Sequence, residues 1–145
     1  DSLGFRLPTE SEWESIANIG LPSSIRLWEN DIRDNTTIVE LKNYAHFDSP
    51  NTGTIKVAQK EPNSLGIYDL LGNVFEWCWD WYGDYDVSKS TDPQGVSSGS
   101  FRVYRGGGWC REAHRCEVSR RDWNSPSYSS LVYGVRFFRS VHQDS

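Results

Sequence analysis

The sequence predicts one α+β domain with few helices, several short strands and long connecting loops. Three observations carry this reading. One segment has a helix start signal with helical apolar spacing, a few short runs have strand-like composition, and Gly, Pro, Asn, Asp and Ser punctuate the chain between them. With 145 residues the chain is about one domain long, and folding at that size buries roughly 68–70% of the accessible surface. The helix is predicted over residues 10–18. Thr9 with Glu12 three residues later makes a capping box, Pro8 precedes the cap, and Glu10, Glu12 and Glu14 lie toward the positive end of the helix dipole. Trp13, Ile16 and Ala17 share the face that packs inward, and Gly20 supplies the stop. Residues 29–64, rich in Asn, Asp, Thr, Pro and Gly, read as long loops with at most brief strands. The run from Glu76 to Tyr82 is apolar or aromatic on both faces and predicts a strand covered on both sides. A loop follows with Asp92-Pro93 and a Gly/Ser-rich stretch at 95–100. Phe101–Arg105 then alternates as a strand, Gly106–Gly108 breaks it, and Val135–Phe138 reads as a last strand.

The formal net charge of −5 argues against nucleic acid as the ligand. No apolar stretch approaches the ~20 residues of a membrane span, so membrane insertion is not expected. Hydrophobic content is only 37%, but seven Trp, seven Tyr and six Phe bring large buried area per residue. Charge is unevenly spread. Residues 1–100 hold 7 basic and 16 acidic residues, whereas 101–145 hold 8 and 4, every basic one an Arg. The simplest reading is that the two parts pair with each other; the sharper one is an Arg-bearing contact surface. The three cysteines, Cys78, Cys110 and Cys116, are too few for a disulfide scaffold, and their odd number leaves the redox compartment open.

Several segments, in order and at matching spacing, resemble the formylglycine-generating-enzyme (sulfatase-modifying factor) family. They are Gly4-Phe5-Arg6-Leu7-Pro8-Thr9-Glu10 with Glu12-Trp13-Glu14, Leu65-Gly66-Ile67-Tyr68-Asp69-Leu70, Gly72-Asn73-Val74-Phe75-Glu76-Trp77, Asp80-Trp81-Tyr82, Arg102-Val103-Tyr104-Arg105-Gly106-Gly107 with Trp109, and Gly134-Val135-Arg136. The resemblance implies a C-type lectin-like fold over residues 1–145, with the N-terminal part of the family domain absent. The family holds enzymes and non-enzymes, so fold alone leaves the activity open. Its copper-dependent oxidases resemble one another in two cysteines separated by four residues; here Cys110 and Cys116 are separated by five. In an extended chain their sulfurs would lie roughly 20 Å apart, too far for one soft metal. The histidines His46, His114 and His142 are scattered and form no cluster.

Within the family the match is strongest to the variable ligand-binding proteins of diversity-generating retroelements, a non-enzymatic branch. The framework of that branch resembles Arg105-Gly106-Gly107-Gly108-Trp109, Ala113, Cys116-Glu117-Val118-Ser119-Arg120-Arg121, Pro126 and Gly134-Val135-Arg136. The resemblance implies a variable ligand-binding region within residues 105–136. Its slots are Cys110, Arg111, Glu112, His114, Arg115, Asp122, Trp123, Asn124, Ser125, Ser127, Tyr128, Ser130, Leu131 and Val132. Independently of resemblance, the segment mixes charged, aromatic, aliphatic and small polar side chains without periodicity, and Trp, Tyr and Arg often carry interface energy. The competing reading has Trp123 and Tyr128 plugging the domain's own core. The expected partner is an unidentified protein or surface ligand, and the expected location is the cell surface, the secreted space or a virion rather than the cytoplasm.

The resemblance further implies a structural calcium held by Asp69 and Glu76 carboxylates with Gly72 and Val74 carbonyls, an all-oxygen set suited to that ion. The alternative is a tight turn at Gly72-Asn73 with Glu76 paired to an Arg. No redox cofactor is expected. Two other functions stay open: a copper-dependent formylglycine-generating oxidase, and a carbohydrate-binding module, for which Glu61-Pro62-Asn63 is the literal sugar motif.

Overall fold

In the structure, a computed structural model describing residues 4–26, 35–85 and 95–139, the first helix is where its cap puts it. Helix α1 spans Glu10–Asn18. The Thr9 hydroxyl accepts the Glu12 N–H, and the Glu12 carboxylate accepts the Thr9 N–H at 2.9 Å. Arg6 then donates twice to Glu12 at 2.6 Å, fixing the entry of the chain. Trp13 and Ala17 are fully buried and Ile16 packs beside them.

A short helix α2, Ser23–Arg26, packs against helix α3, Asn35–Tyr44, which corrects the loop expected there. Thr36, Thr37, Ile38 and Val39 are β-branched and weak helix formers. Helical spacing nevertheless aligns Thr37 and Leu41 on one buried stripe, with Ile38 and Tyr44 packed against the core beside them, and that burial outweighs propensity. The Asp92-Pro93 turn and residues 29–34 of the first expected loop lie outside the described residues.

Strand β1 (Phe5–Arg6) pairs antiparallel with β8 (Phe138–Arg139), bringing the two ends of the described chain together. Strand β2 (Ala45–His46) pairs parallel with β3 (Leu71–Gly72). The main sheet has the order β6-β5-β4-β7, formed by Asp122–Asn124, Arg102–Arg105, Phe75–Trp81 and Tyr133–Gly134; β7 runs parallel to β4 and the other pairs are antiparallel. The last strand differs from the expected 135–138. Pairing stops after Gly134, Arg136 turns its guanidinium to Glu76, and pairing resumes at Phe138.

Alternation along β4 and β5 separates two faces. Glu76, Cys78, Asp80, Val103 and Arg105 point to the core around Trp13, Leu41, Leu71 and Val118, and all are buried. Phe75, Trp77, Trp79, Trp81 and Tyr104 point the other way. That face is not covered as the sequence suggested, because Trp79 is 58% exposed. The core holds charge, and the charge is paired. Glu10 accepts from Arg105 Nε at 2.9 Å and from Arg121 Nε and Nη2 at 2.7 and 2.8 Å, while Arg105 also reaches Glu14 and the Val118 carbonyl. The acidic and Arg-rich parts of the chain therefore neutralise each other inside the fold. At the end of β5, Gly106 and Gly107 have φ of +93° and +83°; a Cβ at the second would meet Cys116 Sγ at 2.5 Å. Only glycine fits that turn.

Candidate ligand-binding surface

The outer face of the sheet carries an aromatic cluster. Tyr133 stacks on Trp77 with ring centroids 5.3 Å apart, and Tyr104 meets both edge-on at 5.5 and 4.9 Å. Phe75 lies buried behind them. Tyr128 stands edge-on to Tyr133 at 5.6 Å and is half exposed. Burial, with hydrogen bonding to Tyr133, pushes the Tyr104 hydroxyl above its ordinary range, so it serves as a neutral donor. Across from Tyr104 on β6, Asp122 takes two bonds from Arg115 at 2.9 and 3.0 Å and two longer ones from Arg120.

The expected slots divide between surface and interior. Arg111 and Glu112 are exposed ahead of a 3-10 turn, Ala113–Cys116, in which His114 and Arg115 are partly exposed. Cys110 is partly buried, Ser127, Ser130 and Leu131 are exposed, and the Ser125 and Ser127 hydroxyls lie 2.8 Å apart. Asn124 turns its side chain to the Ser125 N–H. Two slots correct the expectation of outward display. Asp122 is buried beneath two arginines, Arg115 and Arg120, that pair with it, and Val132 is buried where its carbonyl accepts the Phe75 N–H.

The two aromatic slots do not share one face. Trp123 lies across from Val103, on the core side of the sheet, but beyond the core margin; there it stacks on Tyr82 at 3.9 Å and stays 43% exposed. Tyr128 belongs to the outer face with Tyr133. Neither ring plugs the core: each lays one side on a framework tyrosine and leaves the rest open. Sequence reasoning missed Trp77, Tyr104 and Tyr133 as surface residues. The available signal was the period-two placement of Trp77, Trp79 and Trp81, which was read as double burial.

The other candidate chemistries meet specific obstacles. All three cysteines are free thiols. Cys116 is fully buried and burial pushes its thiol up to about 12, so the free thiol stays protonated at neutral pH. The calcium set does not fit. Glu76 accepts Arg136 on both oxygens and the Trp13 indole N–H at 2.8 Å, while Asp69 accepts the Ala58 N–H. Among the described residues no group of three or more His, Cys, Asp or Glu converges on a common point. Asn63 of the literal sugar motif is buried, its amide donating to the Ile16 carbonyl and its oxygen accepting the Leu65 and Ile67 N–H groups. A cavity of about 300 Å³ beside α1 is lined by Glu10 and Glu14, both paired with Arg105, by Asp80, which accepts the Glu10 N–H, and by Tyr85.

Residues 2–141 match the family model described as sulfatase-modifying factor enzyme 1-like domain. The chain belongs to the formylglycine-generating-enzyme family. Among family members it is 36% identical to the formylglycine-generating enzyme of Thermomonospora curvata over 92% of this chain and 48% of that protein. It is 35% identical to the serine/threonine-protein kinase pkn1 of Chlamydia pneumoniae over 97% of this chain and 22% of that protein. The chain thus spans less than half the length of these relatives. Among solved structures, Treponema denticola variable protein 1 superposes with a TM-score of 0.76 at 42% identity, covering 92% of this chain and 46% of that one. The fold is the C-type lectin-like variant of this family. PvdO from Pseudomonas aeruginosa, at 21% identity and a TM-score of 0.73, shares that fold.

Proposed function

We propose that this chain is a non-enzymatic ligand-binding module whose segment 110–131 displays a diversified surface, in the manner of the variable proteins of diversity-generating retroelements. One observation carries the reading: framework residues other than Ser119, Pro126 and Val135 are buried or partly buried, whereas the slots interleaved with them, Asp122 and Val132 apart, are exposed or partly exposed. Arg105, Ala113, Cys116 and Val118 are 7% exposed or less, whereas Arg111, Glu112, Trp123, Ser127, Tyr128, Ser130 and Leu131 are exposed. A surface built this way changes its contacts without touching its core. The likeness to Treponema denticola variable protein 1 supports the same reading. The half-exposed aromatics are suitable anchors, since burying one against a partner contributes roughly 1.5–3 kcal/mol.

The test is genetic and chemical. Sequencing this coding region from many cells should find substitutions concentrated at adenines of the exposed slots. A near-copy of the segment should lie beside a reverse-transcriptase gene. Identical slots in every copy, with no such template, would overturn the diversification. Turnover of a cysteine-containing peptide by the copper(I)-loaded protein would overturn the non-enzymatic assignment.

A further inference from the structure

Arg102 is unlike the other arginines that reach the sheet. Arg105, Arg115, Arg120, Arg121 and Arg136 each hold a carboxylate. Among the described residues Arg102 holds none. Its guanidinium carbon lies 3.6 Å from the centre of the Trp81 ring and 4.8 Å from that of Trp79, and it donates to the Trp79 carbonyl. Trp81 is pinned from its own side by Gly99, where a Cβ would come within 3.0 Å of the Trp81 Cβ. The guanidinium is therefore held between two indoles, with donors to spare. Trp79 is more than half exposed.

From this we infer that Trp79 and Arg102 form a fixed anchor, outside the diversified segment, that takes a side-chain carboxylate of an acidic protein ligand. The inference rests on the ligand-binding reading above and names the ligand's chemistry. A planar guanidinium that holds no carboxylate among the described residues pairs best with one from outside, in a fork-to-fork geometry. Charge complementarity points the same way. Arg115 and Arg120 share Asp122 and lie near Glu112 and Glu117, so among the described residues the guanidinium on this side of the sheet that is left without an ion-paired carboxylate is that of Arg102. The anchor adjoins the diversified surface, because Arg102 lies directly across from the slot residue Asn124. The slots alone are fewer than the ~20–30 residues per side of a standard protein interface, and the β4–β5 stripe extends the footprint toward that size. A constant anchor beside changing slots would keep part of the affinity while specificity drifts.

The probe is a fluorescently labelled hexaglutamate peptide, with hexaglutamine as control, titrated by anisotropy at low salt. The chain should bind hexaglutamate saturably and hexaglutamine at least tenfold more weakly. Arg102→Gln and Trp79→Ala should each weaken hexaglutamate at least fivefold, with Arg102→Lys in between because it keeps the charge and loses the fork. A control variant, Lys56→Gln, which removes a positive charge from an exposed loop outside the sheet, should stay within twofold. Urea unfolding of each variant separates lost binding from lost folding. Unchanged binding by folded Arg102→Gln, or no binding by the parent chain, overturns the anchor. A uronate oligosaccharide that binds more tightly than hexaglutamate, with the same dependence on Arg102, overturns the protein assignment in favour of an acidic glycan. Invariant slots in the sequencing experiment would sink the diversification while leaving this result standing.

Discussion

Cys116 sits without solvent contact beneath the Gly106–Gly107 turn, and a thiol pushed up to about 12 by burial stays protonated at neutral pH. Cys78 is buried as completely, and burial raises its thiol well above the ordinary value. Cys110 alone is partly open to solvent. Since the thiolate is the reacting species and access sets its rate, iodoacetamide at pH 7.5 should add once to the native chain and three times in denaturant. Intact-mass spectrometry reads this directly, with peptide mapping to place the native adduct on Cys110. A second, equally fast native adduct on Cys116 would mean an open sulfur pair and would revive the oxidase reading. At this scale the sequence spoke clearly where a residue's partners lie close along the chain or belong to a family motif. It was silent on Val132 and Asp122, whose burial depends on β7 crossing to β4 and on Arg115 folding back over β6.

Among the elements, α1 was legible because Thr9 and Glu12 write its start locally, whereas α3 was not, because its β-branched first turn argues against the helix that burial of Thr37 and Leu41 enforces. The same limit hid the open outer face of β4: periodicity shows that Trp77, Trp79 and Trp81 share a side, but only tertiary structure shows what fails to cover it. The cap of α1 also makes a prediction whose sign differs from that of the buried carboxylates. Hydrogen bonding from Arg6 is the main reason the Glu12 carboxyl lies below its usual value of 4.5. A lowered carboxyl contributes stability above that value and loses it as pH falls through its folded pKa. Burial instead raises Glu76, Asp80 and Glu117, whose contributions are complete at low pH and fade as pH rises. Glu12→Gln keeps an acceptor for the Thr9 N–H but loses the charge that Arg6 pairs with. Its Tm should fall below that of the parent chain at pH 7, and the gap should close as pH drops below 4.5. Thr9→Ala, which removes a cap worth about 1 kcal/mol, should show a gap that persists across the same range. A gap for Glu12→Gln that widens on acidification would contradict the pairing.

For the molecule as a whole, the uneven charge along the chain serves mainly as internal glue. Glu10 in the first helix holds Arg105 and Arg121, more than ninety residues away, and Glu76 holds Arg136. The exposed slots lie outside this network, which is what a scaffold for changing surfaces requires. Replacing Arg111, Glu112, Trp123, Tyr128 and Leu131 together by Ser removes two ring contacts, Trp123 on Tyr82 and Tyr128 on Tyr133, at about 0.5–1.5 kcal/mol each. The fivefold variant should therefore lose about 1–3 kcal/mol and still unfold in one cooperative step. Glu10→Ala, a single change, strips Arg121 of its carboxylate and leaves the buried Arg105 with Glu14 alone, and should cost more, about 3–5 kcal/mol. Urea titrations followed by tryptophan fluorescence and circular dichroism rank the two. If the fivefold variant proved the less stable, or lost cooperativity, its side chains would be part of the core and the separation of framework from display would fail. If the order holds, the fold's stability is set by the buried ion pairs and the Gly106–Gly107 turn, and the outward positions remain free to vary.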